Sequence, residues 1–200
     1  MTARVQMAKN TAIRVLLLHG LDEASVGAGL VGEDMMLIEE HAESPDAFAA
    51  ALLRLEPNVI IAPASDKADA IQTVRIAQEL CPAAAVILVV DSIDETAAVA
   101  ALRAGAETLI LRRNFSRLRT AIDAAVAVRK PLTLLSRRQM EVLRLVASGK
   151  TTRVIAETLG LSAKTIESHR TALMKRLGVH DVTALVRFAV RVGLAPVYEN

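Results

Sequence analysis

Aromatic side chains are scarce in this 200-residue chain, which has no Trp, one Tyr and three Phe. Its core must be aliphatic, and aromatic stacking on bases is disfavoured as a binding mode. A single cysteine, Cys81, excludes an internal disulfide and fits a reducing cytoplasm. Near a helix end, that thiol reads as a small buried hydrophobe. No apolar run reaches the roughly 18 residues that a membrane helix needs. Arg14 and His19 interrupt the apolar part of the first segment, which makes a poor signal peptide. No zinc spacing, nucleophile–base constellation or glycine phosphate loop is present. An enzyme reading therefore lacks positive support, and no metal or cofactor is expected.

What is present is apolar content of 52%, ample for a core, and an uneven charge. Residues 1–130 hold 13 Lys and Arg against 17 Asp and Glu, a net −4. Residues 131–200 hold 11 against 5, a net +6. One end of the chain, the C-terminal one, is suited to a polyanion.

That basic part contains TRVIAETLGLSAKTIESHRTALMKRL, from Thr152 to Leu177. The pattern is helix, tight turn, helix. Ala156 permits close approach, Gly160 permits a positive φ, and Ser162 is a good N-cap for the second helix. At helical spacing Ile166, Leu173 and Leu177 share one side of that helix. Lys164, Ser168, Thr171 and Lys175 share the other, with Glu167 beside them. Two helices joined by such a turn are the helix-turn-helix unit, whose second helix enters the DNA major groove, against the simpler reading of the polar side as the solvated face of an ordinary amphipathic helix. Upstream, Ser136 and Gln139 form an S-x-x-Q capping box, and Gly149 closes the helix they start. Downstream, Val182 to Val190 forms a fourth amphipathic helix.

From Leu134 to Leu194 this segment resembles the four-helix DNA-binding domain of LuxR/FixJ-type regulators. The run Lys164-Thr165-Ile166-Glu167-Ser168-His169-Arg170 is its most specific part. Val154 departs from the family's usual glutamate, next to Thr152 and Arg153 at other polar positions of the same run. The resemblance implies double-stranded DNA as partner. Glu167, Ser168 and Thr171 are the base-edge candidates. Thr152, Arg153, Lys164, Thr165, Arg170 and Lys175 are the phosphate candidates, and His169 completes the DNA-binding set.

In the N-terminal part, five short apolar runs alternate with helical stretches. The runs are Ile13–Leu18, Met35–Ile38, Val59–Ala62, Val86–Val90 and Thr108–Leu111. They are continuous, as in parallel strands buried on both faces. Helices are expected at about 22–31, 45–55, 67–80, 94–104 and 116–128. Ser44-Pro45, Asp66, Asp94 and Ser116 stand at N-cap positions. This is a doubly wound (βα)5 domain followed by an all-α domain. The expected boundaries are a loose tail over 1–12, the α/β domain over 13–128, a linker over 129–133 and the DNA-binding domain over 134–200.

Ala101-Leu102-Arg103-Ala104-Gly105-Ala106 and Glu56-Pro57-Asn58-Val59 resemble runs of response-regulator receivers. A working receiver holds Mg²⁺ with carboxylates at strand ends and phosphorylates one aspartate. Here His19-Gly20 replaces the acidic pair and Pro63 the phosphoacceptor. Val90 replaces the switch Ser or Thr, and Arg112 the lysine. The resemblance is therefore to a receiver without phosphoacceptor, a pseudo-receiver. Asp22, Glu23, Asp66 and Asp91 follow strand ends and are the only candidates for a relocated site, against a simpler role as solvent-facing caps.

The functional expectation is a cytoplasmic, sequence-specific transcriptional regulator acting without aspartyl phosphorylation. A homodimer is expected, through Ala97–Leu102, Ala121–Val126 or the fourth helix of the DNA-binding domain. The alternative is a module whose receiver-like domain senses a protein or small-molecule partner and controls the attached DNA-binding domain.

Overall fold

A computed structural model describes residues 12–194 except 22–25, 28–29, 31–33, 43 and 65. The expected tail, apart from residue 12, and most of the expected helix at 22–31 lie outside the described residues. The chain divides into two compact units between Ala127 and Val128.

In the first unit, β1 (Ile13–Leu18), β2 (Met35–Glu40), β3 (Val59–Pro63), β4 (Ala85–Val90) and β5 (Thr108–Leu111) form one parallel sheet. The strand order is β2-β1-β3-β4-β5. Helices α1 (Pro45–Leu55), α2 (Lys67–Leu80), α3 (Glu95–Ala104) and α4 (Leu118–Arg129) accompany it. The order reverses direction between β1 and β3, as in doubly wound sheets.

Side-chain alternation along the strands builds two cores. Val15, Leu17, Ile61 and Ile87 face one way and pack with Leu118, Ile122 and Ala125 of α4. Leu16, Ile60, Val86 and Leu88 face the other way and pack with Phe48 and Leu52 of α1 and Val74 of α2. Each of these buried Val, Leu, Ile and Phe side chains stabilises the fold by about 1.5–3 kcal/mol relative to exposure. Burial on both faces is why the strands read as unbroken apolar runs.

Local signals set the helix starts. Ser44 Oγ accepts from Ala47 N at 3.2 Å, and Asp94 Oδ1 accepts from Ala97 N at 2.6 Å. Asp66 Oδ1 accepts from Ala68 N and Asp69 N at 2.7 and 3.2 Å. Ser116 differs from its expected role as a cap. It lies inside a 3-10 stretch, Arg112–Arg117, that runs directly into α4 at Leu118. Phe115 and Leu118 are both buried, so core packing draws this connection into a tight turn and no separate cap is needed.

Gly105, which ends α3, has φ +110°. A Cβ there would stand 2.9 Å from Gln78 Cγ. The buried Gln78 donates from Nε2 to the Gly105 carbonyl at 2.8 Å, joining α2 to this turn. Glycine is required on both counts.

The second unit begins with structure where the sequence suggests a linker. α4 runs through Arg129, and Lys130–Leu134 forms a 3-10 helix that buries Leu132. Four helices follow: α5 (Arg137–Ala147), α6 (Thr152–Leu159), α7 (Ala163–Leu177) and α8 (Val182–Arg191). Val142, Leu143, Ile155, Ile166, Leu173 and Leu185 are fully buried and form the apolar interior of this unit. Among the described residues, no helix is long and apolar enough to cross a membrane.

Candidate nucleic-acid interface

The turn between α6 and α7 is built by paired caps. Gly160 adopts φ 64°, ψ 37°, and its N–H and that of Leu161 return to the Glu157 and Ala156 carbonyls. These two bonds are the Schellman pattern, which needs a left-handed residue at this position. Two residues on, Ser162 Oγ accepts from Thr165 N at 3.1 Å and lies 2.8 Å from Thr165 Oγ1. Ala156 is buried beneath the turn and Ile166 is fully buried. Thr151, not singled out in the sequence, caps α6 by accepting from Val154 N at 3.4 Å.

Long side chains then fix the motif on its supporting helix. The capping box of α5 is complete: Gln139 N donates to Ser136 Oγ, and Ser136 N donates to Gln139 Oε1. The Gln139 oxygen also accepts from Arg176 Nη1 at 2.9 Å, and the same Arg176 atom donates to the Leu134 carbonyl. Arg138 pairs with Glu141 at 2.7 Å and donates through Nη2 to the Leu159 carbonyl, the end of α6. These arginines were not among the sequence candidates. Arg138–Glu141 is a local i,i+3 pair, but the partners Leu159, Gln139 and Leu134 are set by folding, and no local spacing announces them.

The outward side of α7 carries Lys164, Glu167, Ser168, Thr171 and Lys175, all exposed. Thr165, His169 and Arg170 are half-buried along its margins. Ser168 Oγ donates to the Lys164 carbonyl at 3.0 Å. Arg170 Nη1 donates to Thr152 Oγ1 at 2.7 Å, joining the two helices of the motif at the outer edge. Arg153, highly exposed, pairs with Glu157 at 3.0 Å. Thus Thr152 and Arg170 stand together, Arg153 lies one position on along α6, and the lysines frame α7. Lys150, exposed in the turn before α6, adds a cation that the sequence candidates omit.

The carboxyl end of the parallel sheet is arranged differently from a metal site. Pro63 ends β3, and its Cγ lies 3.5 Å from where a Gly20 Cβ would stand. Arg112 Nε donates to Asp91 Oδ1 at 2.8 Å, and its Nη1 to the Gly20 carbonyl at 3.4 Å. Val90 is buried. The His19 and His41 rings lie 4.5 Å apart, tilted by 36°. Of the carboxylates considered for a relocated site, Asp66 caps α2 and Asp91 pairs with Arg112, whereas Asp22 and Glu23 lie outside the described residues. Among the described residues, no group of three or more His, Cys, Asp or Glu is placed to hold a metal.

With this geometry in hand, residues 133–189 match the family described as "Bacterial regulatory proteins, luxR family". The matched residues lie within the second unit and span its helix-turn-helix. The first unit has a five-stranded parallel sheet of doubly wound order 2-1-3-4-5. Among proteins with similar sequences is the "Uncharacterized response regulatory protein YgeK" of Escherichia coli (strain K12). It is 44% identical over 63 residues, covering 32% of this chain and 43% of that protein. The "Oxygen regulatory protein NreC" of Staphylococcus aureus (strain JH9) is 41% identical over 61 residues, covering 30% of this chain and 28% of that protein. The matches thus span less than half the length of these relatives. Among solved structures, RcsB from Salmonella enterica serovar Typhimurium bound to a promoter aligns at 25% identity with a TM-score of 0.45, covering 88% of this chain and 99% of that one. Full-length FixJ from B. japonicum aligns at 20% identity with a TM-score of 0.42, covering 92% and 98%.

Proposed function

We propose that this chain is a sequence-specific, DNA-binding transcriptional regulator of the response-regulator type. The observation that carries the reading is the outer side of α7. It presents Lys164, Glu167, Ser168, Thr171 and Lys175 with no large apolar group among them. Such a face offers hydrogen bonds to base edges and charge to phosphates. In this reading Glu167, Ser168 and Thr171 meet bases. Lys164, Thr165, Lys175, Thr152, Arg153 and Arg170 meet phosphates, with His169 at the margin. The Arg170–Thr152 bond holds the phosphate-facing groups of both helices in one register.

The reading includes action without aspartyl phosphorylation, as a homodimer, in the cytoplasm. Pro63 at the end of β3 has no carboxylate, and Mg²⁺ needs oxygen ligands in a near-octahedral array. At the same sheet end the Arg112 guanidinium meets the Asp91 carboxylate and the Gly20 carbonyl. The regulatory role is non-enzymatic. Selection of bound sequences from random duplexes with unmodified full-length protein tests the proposal. A defined, enriched site supports it; enrichment of no sequence, or enrichment only after treatment with a phosphodonor, refutes it.

A further inference from the structure

Between α2 and α3, where β3 and β4 end, lies an open cavity of about 410 Å³. That volume falls within the roughly 300–1,000 Å³ of small-molecule sites. Its floor is apolar, with the fully buried Leu88 and the half-buried Leu109. Its wall on α3 is Ala97, Ala98 and Ala101, one face of the first turns. Ala101 is buried in the core beside Leu88, whereas Ala97 and Ala98 are half-buried with short side chains, and larger residues at those two positions would fill the space. The density of alanine in this helix thus has a local consequence, a recess in the surface.

The mouth of the cavity is polar and carries both signs of charge. Lys67 stands on one side, at the first residue of α2, and is exposed. Ser92 and Asp94 stand on the other. Asp94 uses Oδ1 to cap α3, and its second oxygen can accept another donor. A ligand with a single charge would match one of these groups and leave the other facing an unmatched end. One cation, one anion and one hydroxyl above an aliphatic floor are complementary to a compact zwitterion with an aliphatic body.

We propose that this cavity binds a small aliphatic zwitterion of the class of the branched α-amino acids. The ammonium group donates to Asp94, the carboxylate accepts from Lys67 and Ser92, and the alkyl group lies on Leu88, Leu109 and Ala101. The site lies wholly within the sheet domain and does not depend on the DNA-binding reading.

Calorimetric titration of the full-length chain with leucine, leucinamide and 4-methylpentanoate, in the absence of DNA, tests this. Leucine binds one-to-one, and the two analogues that lack one charge bind at least about tenfold more weakly, as expected for loss of a charge-assisted hydrogen bond. Lys67→Ala and Asp94→Asn each weaken leucine by a similar factor. Asparagine retains the helix cap, so D94N isolates the charge. Ala98→Leu fills the recess and abolishes binding. Absence of leucine binding at millimolar concentration overturns the proposal. So does equal binding of the two analogues, or undiminished binding by the folded K67A and D94N proteins. K67A alters an exposed side chain, so the test survives even where A98L does not fold.

Discussion

The Arg112 guanidinium meets the Asp91 carboxylate at 2.8 Å, at the sheet end where a working receiver would gather acidic groups around a metal. The same guanidinium reaches the Gly20 carbonyl, so one cation joins the ends of β1, β4 and β5. The Asp91 carboxylate is thus engaged by a guanidinium, and Pro63 at the end of β3 offers no side-chain oxygen to a divalent cation.

The first prediction follows from that arrangement. Incubating the unmodified chain with a small-molecule phosphodonor and Mg²⁺ leaves its intact mass unchanged. A stoichiometric adduct of one phosphoryl group on the sheet domain would refute the phosphorylation-independent reading. Arg112→Ala should change stability little. Arg112 is 36% and Asp91 72% exposed, and such surface pairs contribute about 0–1 kcal/mol. Chemical denaturation measures this, and Asp91→Ala should leave DNA affinity unchanged.

Under the proposed reading of α7, charge and base reading separate by salt dependence. Lys164→Ala should weaken binding to all duplexes alike and reduce the salt slope by about 1. Glu167→Ala should instead cost about 1–3 kcal/mol at one base pair, because a carboxylate accepts from cytosine N4. Binding isotherms at several salt concentrations, on the selected site and on single-base variants, decide between these outcomes. If both variants behave as wild type, α7 is not the reading helix.

The strands and most helix starts were legible because their causes are local. Unbroken runs such as Val86–Val90 report burial on both faces, and Ser44, Asp66 and Asp94 cap the turns that follow them. Ser116 misled for the opposite reason: a good capping residue was overruled by the buried Phe115 and Leu118 on either side of it. The face of α7 was likewise legible from helical spacing. Its supports were not. Arg176 reaches Gln139 from 37 positions away, and Arg112 reaches Gly20 from 92. Such contacts exist only once the chain has folded, and an arginine in sequence carries no mark of them.

Gly160 supplies a stability test specific to the turn. Apart from its chain neighbours, no atom lies within 4 Å of the position its Cβ would take, so space is not the constraint. The φ of 64° is, because a left-handed residue with a side chain costs about 1–2 kcal/mol. Gly160→Ala should destabilise the helix-turn-helix unit by that amount without altering the sheet domain. Hydrogen exchange resolved by residue checks both halves of this prediction.

Cys81 should be a slow thiol. Its Sγ donates to the Leu52 carbonyl at 3.5 Å, and burial, aided by the nearby Glu56 carboxylate, raises its pKa above the ordinary 9.0. The thiolate is the reactive form, so labelling by a maleimide or disulfide reagent at neutral pH should be slower than in the unfolded chain. The folded state holds this proton more tightly than the unfolded one. The associated stability is therefore fully present below the unfolded pKa, declines as pH rises past 9.0, and is lost once the pH exceeds the folded pKa. Labelling at the unfolded-chain rate would contradict the burial.

The remaining prediction concerns assembly. One recognition helix makes few base contacts, and helix-turn-helix proteins commonly bind two half-sites as dimers. Two surfaces can pair copies of the chain. In α3, Val99 and Leu102 are 42% and 47% exposed, and in α8 Val190 is 55% exposed. The third segment considered, Ala121–Val126, is largely committed elsewhere. Ile122 and Ala125 are buried in the core, and Asp123 pairs with Arg119. A two-fold dimer uses the same patch on both chains, so one charge placed on the patch enters the interface twice. Light scattering on the unmodified chain at micromolar concentration should give about twice the 21.4 kDa of one copy. Leu102→Glu should return the monomer if α3 forms the interface, and Val190→Glu should do so if α8 does. A monomer mass for the unmodified chain, together with one-to-one binding to a non-palindromic site, would rule out the dimer and leave a single helix-turn-helix to account for all of the specificity.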